Sequence, residues 1–263
     1  MKDRPRPDYG LDAPGVVRNL FVCGALGLAL WGVVAQGHWS GVVVLGPIAG
    51  VELRFPLAAM GLWAGGSCVL MGLWMLWSGR IGKVRRREKL LGNLSWTGGE
   101  RVLDVGCGRG LMLLGAAKRL SGGKAFGIDI WQAEDLSGNR PSAVLENARR
   151  EGVLDRIRIE AADMRRLPFG DGAFDVVVSS QAIHNVYSAA GRAEAIGEIA
   201  RVLKPGGRAL IEDIRHQTEY ARTFAESGCA DVARIGSPLA TVLLAVVTMG
   251  SLRPGTLLVR KTG

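Results

Sequence analysis

Residues 104–110 read Asp-Val-Gly-Cys-Gly-Arg-Gly, the end of an apolar run passing straight into a glycine-rich turn. Gly106, Gly108 and Gly110 allow positive φ and let a ligand come close to the backbone. Such a turn suits a dinucleotide, a nucleotide or a nucleoside, and it also occurs where only packing is served. A dinucleotide fingerprint needs its third glycine one position later, where Leu111 stands, and a phosphate-cradling loop needs a closing Gly-Lys-Ser/Thr that is absent. Asp129 follows Gly106 by 23 residues, at the end of the next β-rich run. A carboxylate there can accept the hydrogens of both ribose hydroxyls, the plain alternative being a solvated strand end.

These residues need a scaffold, and residues 98–263 supply its pattern. RVLDV (101–105), KAFGIDI (124–130), RIRIE (156–160), FDVVVSS (174–180) and GRALIED (207–213) are short apolar or β-branched runs bounded by Gly, Asp or Pro, as strands are. Helical stretches lie between them at Leu111–Leu120, Ser142–Glu151 and Arg192–Leu203. The alternation predicts an α/β, Rossmann-like, doubly wound sheet covered on both faces.

From Gly98 to Gly228 the chain carries GGERVLDVGCGRG, GIDI, AADMRRLPFGDGAFDVVVSSQAIHNV and IARVLKPGGRALIED in one order and spacing. In these motifs it resembles the class I S-adenosylmethionine-dependent methyltransferases, and within them the small-molecule branch that includes quinone, tocopherol and sterol methyltransferases. The resemblance implies a sheet of seven strands with the last antiparallel, which TLLVR (256–260) supplies, and S-adenosyl-L-methionine as cofactor. It implies that Asp104, Gly106, Cys107, Gly108 and Gly110 shape the pocket for the methionine end. Asp129 would take the ribose hydroxyls, with Ile130 and Trp131 against the adenine. Asp163 would bind the adenine amino group and the Met164 backbone the ring, while Ser180 and Gln181 would lie beside the sulfonium. This cofactor has no phosphate, so carboxylates and carbonyls suit it.

The methyl group arrives activated, so a general base is needed only if the acceptor must lose a proton. His184, Asn185 and Tyr187 follow the fourth strand, and Asp213 and His216 the fifth. His184 is the best placed to accept a phenol or enol proton near neutral pH; packing or capping is the ordinary role of a histidine there. His184 and Tyr187 are the catalytic candidates. An Asp/Asn-Pro-Pro-Tyr/Phe sequence and a Pro-Cys nucleophile are both absent, which sets aside amino-directed and cytosine-C5 nucleic-acid methylation. Cys23, Cys68, Cys107 and Cys229 form no C-x-x-C pair, so neither a metal site nor a disulfide framework is expected.

The 263 residues carry a net charge of +9 and a mean hydropathy of +0.18, a combination that points to segregation along the chain. Arg80–Lys89 holds six basic residues against one acidic, so more than half of the excess sits in ten residues. Before it, Asn19–Val51 and Phe55–Gly79 are free of Asp, Glu, Lys and Arg over 33 and 25 residues. About 20 apolar residues cross a bilayer, which the second run meets and the first reaches with tilt, its core being Leu20–Ala35. Trp31, Trp39, Trp63, Trp74 and Trp77 fall in this region, four of them near run ends as interfacial anchors. Gly61 and Gly65 form a small-xxx-small face. A cleaved signal peptide is the rival for the first run, but Asp3, Asp8 and Asp12 and a second span argue against it.

The expected organisation is a cytoplasmic segment at 1–18 and a transmembrane hairpin at 19–79 with helices over about 19–37 and 55–78. A basic helix or linker follows at 80–97, then the catalytic domain at 98–263. Positive residues on the cytoplasmic side place both the N-terminus and the domain there. Ile235–Leu252 is free of charge, and within it an apolar insertion over about 237–252 is expected between the sixth and seventh strands, as a membrane- or substrate-facing lid or a core helix. The expected function is methyl transfer to a lipophilic small molecule, with no nucleic-acid partner. A membrane-tethered scaffold that binds the cofactor without turnover is the alternative, and a nicotinamide-dependent oxidoreductase is disfavoured by Leu111.

Overall fold

The computed structural model describes residues 6–37, 41–48, 51–132, 134–237, 241, 242, 245, 246, 248 and 252–263, with side chains for these except 45–48, 51–53, 80 and 81. They divide into two units: residues up to Gly10 with Lys83 onward, and Leu11–Gly82 with Glu134–Ser137. Trp39 and most of the 237–252 insertion lie outside the described residues; the described Val242 and Val246 are exposed.

In the first unit, every strand expected from the sequence forms. Numbering strands and helices in chain order, with β1, β2, α1 and α2 in the second unit, the strands are β3 (Arg101–Val105), β4 (Lys124–Asp129), β5 (Ile157–Ala161), β6 (Phe174–Ser180), β7 (Leu203–Asp213), β8 (Asp231–Ile235) and β9 (Gly255–Arg260). They make one sheet in the order β5-β4-β3-β6-β7-β9-β8, the first five parallel and β9 antiparallel to both neighbours. Alternate residues of the central strands face opposite cores, as the two-residue period of a strand requires. Val102, Val176, Val178 and Leu210 join the helices α3 (Lys83–Leu91), α4 (Leu111–Ala117) and α5 (Pro141–Glu151) on one side. Leu103, Val105, Val177 and Ile211 face α6 (Ala189–Val202) and α7 (Gln217–Glu226) on the other. Both faces being covered explains the unbroken apolar runs. β7 begins four residues before the expected Gly207, across an irregularity at Pro205–Gly207.

The basic stretch is built into this unit, which a juxtamembrane reading of its charge does not anticipate. Arg87 is 2% exposed, packs its stem against Gly115 of α4, and donates to Tyr9 Oη (2.9 Å) and Glu151 Oε1 (3.1 Å). Arg86 pairs with the buried Glu212, and Lys83 donates to the carbonyls of Tyr9 and Gly10. Half of the cluster's six cations thus serve internal partners. The N-terminal segment is not a loose tail either: Tyr9 is buried and donates to Glu151, while Asp8 exchanges two backbone hydrogen bonds with Asn147 and pairs with Arg109.

The second unit holds α1 (Pro14–Ala35) and α2 (Leu57–Trp77), both long and apolar enough to cross a membrane. α1 starts earlier than residue 19 because Pro14 occupies its first turn, where proline is well suited. Between the helices, β1 (Val42–Ile48) and β2 (Val51–Pro56) form an antiparallel hairpin that the charge-free reading of 19–51 left out. Its β-branched residues Val42, Val43, Val44, Ile48 and Val51 favour strand over helix. The helices meet through glycine: a Cβ on Gly27 would lie 2.8 Å from the Gly61 carbonyl oxygen, and one on Gly65 2.9 Å from that of Gly24. The residues these helices bury are Val17, Gly24, Gly61, Gly65 and Gly72, whereas Leu26, Trp63, Leu70, Trp74 and Trp77 point outward. Gly27→Leu or Gly65→Leu should therefore destabilise the pair by about 1–3 kcal/mol through overpacking. Gly32→Leu and Gly66→Leu, which meet open space, should leave thermal unfolding of the protein, followed by tryptophan fluorescence, nearly unchanged.

Candidate active site

The strands that carry the glycine turn and the candidate aspartates end at one edge of the sheet, and the chain turns left-handed as it leaves four of them. Gly106 after β3 has φ +73°, Trp131 after β4 +60°, Gln181 after β6 +53° and His216 after β7 +62°. Three of these are not glycine and cost of order 1 kcal/mol each, a strain that clusters at functional sites. The glycine turn is tied down by its backbone: Gly106 N–H and Cys107 N–H both donate to the Ile128 carbonyl at 2.9 Å. A Cβ on Gly106 would collide with that of Ala182. Gly110 (φ +87°) opens α4.

Asp129 links this turn to the next strand end. Its Oδ2 accepts from Gly108 N–H (2.8 Å) and its Oδ1 from Trp131 N–H (2.6 Å). Asn139 adds a longer bond from Nδ2 (3.3 Å). Two buried polar atoms of residues touching Asp129, Asn139 Oδ1 and Trp131 Nε1, have no partner among the described residues. An acceptor and a donor left open beside a half-buried carboxylate fit a ligand bearing hydroxyls and ring nitrogens, as S-adenosylmethionine does. The loop cation Arg109 is turned to Asp8. Ile130 is exposed, and the Trp131 ring packs in part against the core.

Asp104 is 1% exposed and accepts from Leu113 N–H in the first turn of α4 (2.7 Å). Burial, with the Asp129 charge adding to it, pushes its carboxyl pKa up to about 8. The Cys107 thiol is pushed up by burial too, so it is inert here. Asp163 is half-exposed, and the Arg165 guanidinium, bonded to both its oxygens, holds its carboxyl below the usual range. The Met164 side chain faces Gly106.

At the ends of β6 and β7, Ser180 Oγ donates to Glu212 Oε2 (2.6 Å) and Gln181 N–H to the Glu212 carbonyl (2.8 Å). Glu212 is buried, which raises its carboxyl pKa against the lowering pull of Arg86. The sequence reading missed both Glu212 and Arg86; a carboxylate two positions past buried Leu210 on the same face was the available signal. His184 Nδ1 lies 2.5 Å from Asp213 Oδ1, so two separate catalytic candidates meet. Asn185 closes the short turn Ile183–Asn185 that holds His184. Tyr187 is 97% exposed, and no hydrogen bond joins its side chain to the His184–Asp213 pair. His216 lies beside Glu219 (3.4 Å), and burial lowers its imidazole pKa.

Asp104 makes a pH prediction. A carboxyl with a higher pKa folded than unfolded adds stability that is full below about pH 4 and lost as pH rises through about 8. Asp104→Asn removes that dependence. Thermal melts at pH 5 and pH 8.5 should show the wild type losing roughly 2–5 kcal/mol relative to the variant.

Comparison with known proteins agrees with this geometry. Residues 103–211 match the methyltransferase domain family. Methyltransferase GfsG of Streptomyces halstedii is 35% identical over 130 residues, covering 49% of this chain and 43% of its own. The chloroplastic 2-phytyl-1,4-beta-naphthoquinone methyltransferase of Arabidopsis thaliana is 33% identical over 153 residues, 57% of this chain and 55% of its own. The chain thus spans about half the length of the curated relatives it matches. Geranyl diphosphate C-methyltransferase of Streptomyces coelicolor, solved with S-adenosyl-L-homocysteine, shares the fold with a TM-score of 0.53 at 17% identity, covering 68% of this chain and 76% of that one. A glycine turn tied to a ribose-type carboxylate, on a seven-stranded sheet whose core stretch matches this family, identifies residues 103–211 as the core of a class I S-adenosylmethionine-dependent methyltransferase domain.

Proposed function

We propose that this protein is a membrane-anchored methyltransferase that transfers a methyl group from S-adenosylmethionine to a lipophilic small molecule at the cytoplasmic face. The observation that carries the anchoring is the inverted packing of α1 and α2, which bury glycines against each other and present leucines and tryptophans outward. A core helix of a soluble protein does the reverse. In a bilayer, close glycine contacts are what hold such helices together. Residues 6–10 and Lys83 onward belong to one unit, so the chain leaves it before α1 and returns after α2. An even number of spans and the positive charge of Arg80–Lys89 support a cytoplasmic domain. A crevice tethered at the membrane suits an acceptor that partitions into lipid, and the similarity to a phytyl-naphthoquinone methyltransferase supports the same class.

The cofactor, when bound, supplies a methyl group already activated on a sulfonium. The protein has to hold and orient it and keep water out. Asp129 and Asn139 would bind its ribose, Trp131 and the Met164 backbone its adenine, and Asp163, shared with Arg165, the adenine amine. Asp104 holds the glycine turn in shape through α4. Ser180 and Gln181, anchored by Glu212, would border the methyl-bearing end.

Transfer of labelled methyl from S-adenosylmethionine to a membrane lipid extract tests the reading. Label is expected in the organic phase; label confined to water-soluble products overturns the lipophilic acceptor, and tight cofactor binding with no label in any fraction favours a scaffold. The chain should also stay in the membrane pellet after alkaline carbonate, and release into the supernatant would remove the anchor. Asp129→Ala should weaken S-adenosylhomocysteine binding by at least about tenfold in calorimetry, since two hydrogen bonds to a charged group are lost.

A further inference from the structure

The polar cluster behind His184 is more complete than packing needs. Asp213 is fully buried at the end of β7, where a lone carboxylate is costly. Its Oδ1 accepts from Ile214 N–H (2.7 Å) and faces His184 Nδ1; its Oδ2 accepts from His184 N–H (3.0 Å) and from Tyr220 Oη–H (3.1 Å). All four lone-pair sites of the carboxylate are used. Backbone and Tyr220 donors satisfy three of them, so an imidazole is not required to solvate Asp213. Since every other neighbour gives it a proton, the His184 ring proton belongs on Nδ1. That leaves Nε2 an unprotonated acceptor, and among the described residues it has no hydrogen-bond partner. The ring is partly exposed, and the strained Gln181 and His216 stand on either side of the pair in the chain.

Resting on the methyl-transfer reading above, we infer that His184 is the general base, that Asp213 and Tyr220 position it, and that the acceptor is a lipophilic hydroxyl compound methylated on oxygen. A fixed base is of use only if the nucleophile carries a proton to lose. A hydrogen bond to Nε2 locates the oxygen itself, and in-line transfer rewards the atom so located. As the acceptor O–H proton passes to Nε2, the oxygen lone pair forms the new O–C bond. The donor's C–S bond breaks with its electron pair left on sulfur, and the imidazolium, beside the Asp213 charge, later releases its proton to water. Tyr187 stands fully exposed two residues past the turn that holds His184, outside this hydrogen-bonded pair.

The experiment uses the full chain in detergent, labelled S-adenosylmethionine, and a membrane lipid extract either untreated or acetylated beforehand. Label is expected in the untreated extract only, and hot hydriodic acid should release it as methyl iodide. His184→Gln should lower incorporation at least about 100-fold while S-adenosylhomocysteine affinity stays within twofold, and added imidazole should restore His184→Gly in part. Carbon-bound label that survives the acid, full transfer to acetylated extract, or His184→Gln within threefold of wild type each overturn the inference. No label in any fraction defeats the methyl-transfer reading instead. The base assignment is then read from 15N NMR of the three histidines, with His184→Gln identifying the signal. The Nδ1–H tautomer in wild type and its loss in Asp213→Asn uphold it, and an Nε2–H tautomer in wild type overturns it.

Discussion

Three carboxylates leave water almost entirely at one edge of the sheet, with a fourth half-buried beside them, and the surrounding chain is arranged to give them donors. Asp104 draws on the first turn of α4, Glu212 on Ser180 and Arg86, Asp213 on two backbone amides, a tyrosine and a histidine, and Asp129 on Gly108 and Trp131. A buried charge without such partners would cost several kcal/mol. The left-handed residue after β4 serves this demand, because the turn brings the amide of Trp131 back to Asp129, while the turn after β6 directs the amide of Gln181 to the Glu212 backbone carbonyl. A parallel sheet thus gathers these acids and their donors together at its C-terminal end.

Two segments of the chain that flank the apolar helices belong to the same economy of charge. Tyr9, Arg87 and Glu151 interlock behind α4 and α5, with Lys118 also paired to Glu151. Asp8 steadies Arg109 within the glycine turn. The stretch before α1 and the stretch after α2 are thus pinned to the domain that holds the site. The helical unit is therefore joined by the chain at both of its ends to that domain.

Within the helical unit, stability has a different origin. Glycine at the contact brings the two backbones together, so dispersion between close-packed main chains holds the pair. Glycines of the same helix behave oppositely: Gly27 and Gly65 admit no side chain, while Gly32, five residues on, and the adjacent Gly66 face open space. Packing, not composition, decides which glycines matter.

Local pattern determined a good deal by itself. Five of the sheet's seven strands, the glycine turn and Asp129 were legible because each is written in a few consecutive residues or at a fixed spacing, whereas the antiparallel last strand followed from the family resemblance and β8 was not placed. Apolar length likewise gave the two helices, though it overlooked the β-hairpin between them, where β-branched residues outweigh the lack of charge. Tertiary structure alone decided the rest. His184 and Asp213 are 29 residues apart, Arg86 and Glu212 126, Tyr9 and Glu151 142. No periodicity relates such positions; they meet only because the order of the strands lays the ends of β6 and β7 side by side and α3 across the same face. The charge of Arg80–Lys89 shows this most plainly: sequence reveals that it is concentrated, and only folding reveals that half of it is already committed to partners inside the domain.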